Sequence, residues 1–367
     1  MPIRYLAQRR LSASSLVGQV SRQIKEEFGV IADPFQLHEP SPQLFASFWS
    51  VTREISVARQ VPWPIKEAVA AAVSQSNDCP YCVEIHAAVA TTHVHQPLAS
   101  LLREGQTVNI ADPTLRAFVA WALATRTPGG APLHHPPFTV AQAPEIVGIT
   151  LVYHYLNRMV QVFLPESLLP AFARGGWSGA VAWRLIGRRL ARNRERERTP
   201  GAALQFTPAA DLPDEFAWAE PSPTISRALA GWTAVIERSG VEALTPRVRA
   251  HVADFLSRWQ GDPPPLSRAW VQQAVANLPE TDHAAGKLAL LAAVAPYQID
   301  APIIEAFRAQ CASQGTLEAD ARLVDAVAWA SFHAARRIVS WLELPTPEQS
   351  DQENTSRQFA TGHTREQ

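Results

Sequence analysis

The sequence predicts an all-α protein, a tandem of two related helical halves of which the second has lost a reactive motif. Three observations carry that reading. Stretches rich in alanine and other helix formers follow one another along the chain, bounded by Gly, Pro, Asn or Asp. KEAVAAAV, from Lys66, aligns without a gap with KLALLAAV, from Lys287. A second pair follows in the same order: VYHYLNRMV at 152–160 faces SFHAARRIV at 331–339, which matches His154 with His333 and Arg158 with Arg337.

In chain order, residues 13–29 read as a helix ending at Gly29, and residues 41–58 as another with Phe45, Phe48, Trp49 and Ile55 on its apolar side. Phe48, Trp49 and Trp63 precede the reactive motif closely enough to wall an access channel, although aromatics at helical spacing usually form core. From Glu67 to Val73 an alanine run favours helix. Asn77-Asp78 breaks it and offers a cap for the next helix, in whose first turn Pro80 sits without cost. That helix runs to about Thr92. His93 and His95, two apart, do not share a helix face and read as solvated. Further helices are expected at 113–126 and 144–164, separated by a loop holding His134 and His135.

Residues 166–198 pass from an apolar stretch into the dense arginines of RRLARNRERER. A bridging helix with a solvated charged end is the expectation there, and a membrane-surface helix the alternative. Domain boundaries are set at 1–198 for the reactive half, 199–223 for a Pro-rich linker, 224–344 for the second copy and 345–367 for a polar tail expected to be disordered.

At 367 residues, two domains are the natural division, and a 47% apolar content suffices for a core. The net charge of −1 gives no general attraction to nucleic acid. The N-terminus lacks a sustained apolar run, and no segment reaches membrane-spanning length, so neither export nor a membrane partner is expected. Of the three cysteines, two lie in one motif, which fits a reducing cytoplasm better than a disulfide scaffold.

That motif, PIKEAVAAAVSQSNDCPYCVEIHAAVA, places Glu67, Cys79, Cys82 and His86 in the spacing E-x11-C-x2-C-x3-H. Cys79, Cys82 and His86 fall on one helix face, with Glu67 arriving from the preceding helix. A helix N-terminus and a nearby base both lower a cysteine pKa, and Cys82 is placed to receive both. Two thiols at this spacing form a redox pair in which one sulfur attacks and the other resolves. Glu67 can take up a proton through His86 or through water. A structural zinc site would call for a second ligand pair, and none is evident. A c-type haem would need His, not Val83, directly after the second cysteine. No metal or cofactor is therefore expected; two inert buried cysteines are the remaining alternative.

These four residues, their spacing and the lead-in ADPFQLHEPSPQLFASFWSVTRE resemble the alkylhydroperoxidase-D branch of the carboxymuconolactone decarboxylase family, over roughly residues 28–165. The resemblance implies that both halves are alkylhydroperoxidase-D-like helical domains, the second without the redox motif. It implies that Cys82 attacks a peroxide or disulfide, that Cys79 resolves, and that Glu67 and His86 relay the proton. Some members carry His just before the second cysteine; Tyr81 stands there here. The decarboxylases that name the family lack the cysteine pair.

The function expected is thus a thiol-dependent, peroxiredoxin-type alkyl hydroperoxide reductase. Its partners would be a hydroperoxide substrate and a dithiol electron donor, such as a lipoylated protein, and its relatives' assemblies suggest a homo-oligomer. Two alternatives stay open. One is a redox sensor or scaffold without turnover; the other is a cysteine-independent lyase using Glu67 and His86. In the second copy Leu288, Asp300, Ile303 and Phe307 face the four motif residues, so no chemistry is expected there. Cys311, with no Cys or His close by, is expected to be a small buried hydrophobe.

Overall fold

The computed structural model describes residues 3–7, 12–94, 96–167, 176–194, 196–310 and 315–345. His95, Cys311 and the tail beyond 345 lie outside these described residues. Every regular element among the described residues is helical. The first half holds α1 (Leu16–Phe28), α2 (Asp33–Gln36), α3 (Pro42–Val57), α4 (Trp63–Ser76), α5 (Pro80–Val94), α6 (Leu98–Arg103), α7 (Pro113–Ala124), α8 (Ala143–Phe163) and α9 (Gly176–Arg194). The second holds α10 (Pro223–Ala243), α11 (Pro246–Arg258), α12 (Ala269–Ala274), α13 (Glu280–Val294), α14 (Ala301–Ala309) and α15 (Thr316–Val339).

Local chemistry sets the helix ends. Ser15 caps α1 by accepting from the Gly18 amide, and Gly29 ends it in the left-handed region at φ 78°, where an absent Cβ removes the penalty. Asp112 caps α7 through the Thr114 and Leu115 amides. Prolines at the first turns of α3, α4, α7 and α8 fix φ where no N–H is needed.

One apolar core runs through both halves. Helix α4 packs on α5, α7 and α8, while α3 packs on α10 and α8 on α15. Phe48 belongs to this core, fully buried against His38, Tyr155 and Trp232, while Trp49 is fully buried in a second apolar cluster with α1, against Phe28 and Phe35. They are core and not channel walls. Helix α9 lies across α5 so closely that a Cβ at Gly187 would come within 2.4 Å of the Ala88 carbonyl oxygen. Its Arg184, Arg188, Arg189 and Arg192 face solvent.

The segment 199–223 is a fastened strap rather than a loose tether. The Gly201 and Ala203 amides donate to the Glu54 carboxylate, and Ser50 Oγ donates to the Ala203 carbonyl. Phe216 and Ala219 are buried. The segment's prolines and acids mark a linker by composition, and its apolar residues fasten it.

A buried ion pair fixes the start of α4. Lys66 Nζ donates to Glu145 Oε2 at 2.8 Å and to the carbonyls of Ile55, Ser56 and Ala58, which end α3. Glu145, from α8, also accepts the Gln60 amide at 2.7 Å. Three elements thereby meet one residue before Glu67.

Candidate active site

Helix α4 ends at Asn77, and Asp78 takes φ +51°, a left-handed conformation that Asp tolerates better than most residues. The chain reverses there. The Cys79 amide donates to the Ser74 carbonyl at 3.0 Å, and the Val83 amide to the Cys79 carbonyl at 3.1 Å. Cys79 thus holds the position just before α5, and Cys82 lies in that helix's first turn. The expected cap is corrected: Asn77 turns its amide inward, to the Val73 carbonyl and to Asn157 and His154 on α8. A buried amide must satisfy its donors, and α8 supplies the acceptors.

Cys79 and Cys82 sit at this α4–α5 junction, and Glu67 and His86 join the same two helices farther along, His86 one turn after Cys82. His86 Nδ1 meets Glu67 Oε2 at 2.7 Å, with Glu67 buried and His86 half-buried. The carboxylate accepts, so neutral His86 carries its proton on Nδ1 and keeps Nε2 as the basic nitrogen. The edge of the His86 ring packs on Tyr153 of α8, centroids 4.6 Å apart at 82°.

Cys79 and Cys82 are free thiols, both buried. Burial pushes the Cys82 thiol well above its ordinary range, and neighbouring Cys79 adds to the shift; Asn157 and Ser74 partly offset it. The direction is opposite to the lowering expected from the helix dipole and His86, and its first cause is the desolvation of a fully enclosed sulfur. Burial thus favours the protonated thiol over the thiolate. Tyr81, also buried, has its phenol pushed up chiefly by burial and then by Asp33 and the two cysteines, so it stays neutral.

Behind the sulfurs runs a buried polar chain. Asn157 Nδ2 donates to Ser74 Oγ at 3.0 Å, and its Oδ1 accepts from Asn77 Nδ2 at 3.0 Å. The Thr125 hydroxyl donates to the Ala122 carbonyl, so His154 Nε2 donates to Thr125 Oγ1 at 2.9 Å, and Nδ1 accepts from Asn77 at 2.9 Å. His154 is enclosed, its pKa held well below the usual range by burial and by Arg158 and Arg126, and it stays neutral. It is a satisfied core histidine that orients Asn77 and, through it, Asn157.

Ser74, Asn157 and Tyr153 were not singled out from the sequence. Their signal is a polar residue interrupting an apolar helix: Ser74 lies two turns after Glu67, and Asn157 one turn after Tyr153. His93 and the loop residues His134 and His135 are exposed. Among the described residues, no cluster of three or more His, Cys, Asp or Glu is placed to hold a metal ion, and no helix is long and apolar enough to cross a membrane.

Beside Glu67 a small cleft of about 30 Å³, lined by Trp63, Ala70, Ile149 and Tyr153 among others, has room for roughly a water or two. Trp63, Lys66 and Ser56 also line a second cleft of about 440 Å³ that opens next to it.

Among known proteins, the chain is similar to one from Mycobacterium tuberculosis (strain ATCC 25618 / H37Rv) named alkyl hydroperoxide reductase Rv2159c. The two are 34% identical over 342 residues, an alignment covering 93% of this chain and 95% of that protein. No family model matches the chain, and no solved structure matches it.

Proposed function

The chain belongs to the same family as that mycobacterial alkyl hydroperoxide reductase, and from this premise we propose that it reduces organic hydroperoxides through Cys82 and Cys79. The observation that carries the reading is a hydrogen-bonded Glu67–His86 pair and two free, neighbouring thiols on the same two helices, with His86 one turn after Cys82. A buried thiol needs a base at the moment of attack, and the pair supplies one.

In the proposed cycle His86 Nε2, polarised by Glu67, takes the Cys82 proton. The thiolate attacks the terminal oxygen of the hydroperoxide. An S–O bond forms, the O–O bond breaks, and the alkoxide leaves with the relayed proton as an alcohol. Cys82 is now a sulfenic acid. The Cys79 sulfur attacks it, water leaves, and a Cys79–Cys82 disulfide remains. An external dithiol reduces that disulfide by exchange and is itself oxidised to a disulfide. A centre that must be re-reduced in each cycle suits a reducing cytoplasm, where we place the protein. A lipoylated protein is the donor class proposed, and a homo-oligomer the assembly.

The test is steady-state consumption of an organic hydroperoxide with a panel of dithiols, lipoylated protein included. Sustained turnover that disappears in Cys82→Ser supports the proposal. One equivalent consumed, followed by a stall with every donor, would instead make the pair a redox sensor. Activity on a lactone surviving loss of both cysteines would point to the lyase reading.

A further inference from the structure

The larger cleft gathers several basic side chains. Four permanent cations, Arg59, Lys66, Arg196 and Arg198, line it together with His93 and Trp63, and no carboxylate of the described residues does. Two of these charges are matched elsewhere. Lys66 pairs with Glu145 at 2.8 Å, and Arg198 Nε lies 3.4 Å from Glu27 Oε2 with its guanidinium over the Phe28 ring. Arg59 and Arg196 are exposed, and an Arg59 Nη2–H donation to the Arg196 carbonyl, 3.4 Å, ties the two residues together. The bond runs from the Arg59 guanidinium to the Arg196 main chain, so it brings two exposed arginines to one cleft, where their charged donors can serve an anion.

The remaining walls are apolar, formed by Trp63, Val57, Val61 and the prolines of the α3–α4 turn. At about 440 Å³ the space suits a small organic molecule. Ser56, Trp63 and Lys66 line both this space and the smaller cleft, whose size suits a peroxide group and whose wall includes the Glu67 of the proposed relay.

We propose that this cleft is the substrate's anchor, and that the substrate is an organic hydroperoxide carrying a carboxylate on an aliphatic chain, a fatty-acid hydroperoxide. Arg59 and Arg196 hold the carboxylate, Trp63 and its neighbours cover the chain, and the peroxide is delivered toward Glu67. The proposal rests on the peroxidase reading for its chemistry but not for its binding.

Calorimetry with decanoate and with decan-1-ol tests the binding without any turnover. Decanoate should bind the wild-type protein about tenfold or more tighter than the alcohol, the worth of charge-assisted hydrogen bonds. Added salt should weaken the acid alone, and the Arg59→Gln/Arg196→Gln variant should bring acid and alcohol to near parity. In a second arm, a hydroperoxy fatty acid should show a lower KM than its methyl ester in the wild type, a preference the variant loses. Equal binding of decanoate and the alcohol, or an undiminished preference in the variant, overturns the anchor. Decanoate binding without turnover of any hydroperoxide would leave the anchor standing and remove the peroxidase reading. Turnover without any preference for the acid would do the reverse.

Discussion

At the scale of single residues, the proposed chemistry divides between a proton path and a sulfur environment. Glu67 and His86 share one hydrogen bond, so Glu67→Gln and His86→Ala should each lower kcat/KM by about a hundredfold, the low end for a positioned acid–base. The double variant should lose little more, because residues acting as a unit are not additive. Fully additive losses in peroxide kinetics would separate the two roles. Cys82 titrates in the other direction from a typical activated thiol. With its pKa raised by burial, alkylation of the reduced protein should be slow at neutral pH. Its midpoint should lie above that of an unfolded cysteine. Because the folded state then holds the proton more tightly, this group's contribution to stability is full below the unfolded pKa and falls as pH rises past it. Asn157→Leu, which removes a group favouring the thiolate, should push the midpoint higher still, and a midpoint below the unfolded value would contradict the burial argument. The four motif residues were legible because their spacing is local. Ser74 and Asn157 were not, since only the packing of α4 on α8 brings both beside Cys82.

At the scale of elements, the position of Glu67 depends on how α4 is held. Lys66→Met would leave Glu145 as a buried carboxylate with one partner removed, which costs about 3 to 5 kcal/mol. Denaturant unfolding should show that loss, and adding Glu145→Gln should recover part of it. Gly187→Ala should destabilise by about 1 to 3 kcal/mol through the clash of α9 with the Ala88 carbonyl. An unchanged melting curve would mean that α9 moves away from α5 without penalty. Helix boundaries were largely readable from caps and prolines: the expected 13–29 and 41–58 became Leu16–Phe28 and Pro42–Val57. The corrected cap and the fastening of 199–223 share a cause. Asn77 has the right residue type for a cap, and the strap at 199–223 has the composition of a linker, but tertiary partners on α8 and α3 claim them. No local pattern encodes those partners.

At the scale of the molecule, we propose that the second half is a worn copy serving as scaffold. Helices α4, α5 and α8 find counterparts in α13, α14 and α15 by the two alignments, and α13 packs on α14 and α15 as α4 does on α5 and α8. Asp300, which faces Cys79 in the alignment, caps α14 through the Ile303 amide. The similarity to the mycobacterial relative spans both halves, so the second accompanies the first there too. Contacts across the halves reach the polar chain behind the sulfurs: Arg158 Nε donates to the Ala293 carbonyl at 2.7 Å, and its Nη1 to the His154 carbonyl. Removing everything after Arg198 should therefore expose the faces of α3 and α8 that α10 and α15 cover. Light scattering should then show aggregation or new self-association, and a soluble, fully active monomer would defeat the scaffold proposal.

The central claim is that Cys82 and Cys79 exchange two thiols for one disulfide at the expense of a hydroperoxide. It is tested most directly by mixing the reduced protein with one equivalent of organic hydroperoxide and mapping the cysteines by mass spectrometry. The account predicts a Cys79–Cys82 disulfide formed in step with peroxide loss, and a stable sulfenic acid at Cys82 when Cys79 is replaced by serine. Peroxide consumed while both cysteines stay reduced would contradict it.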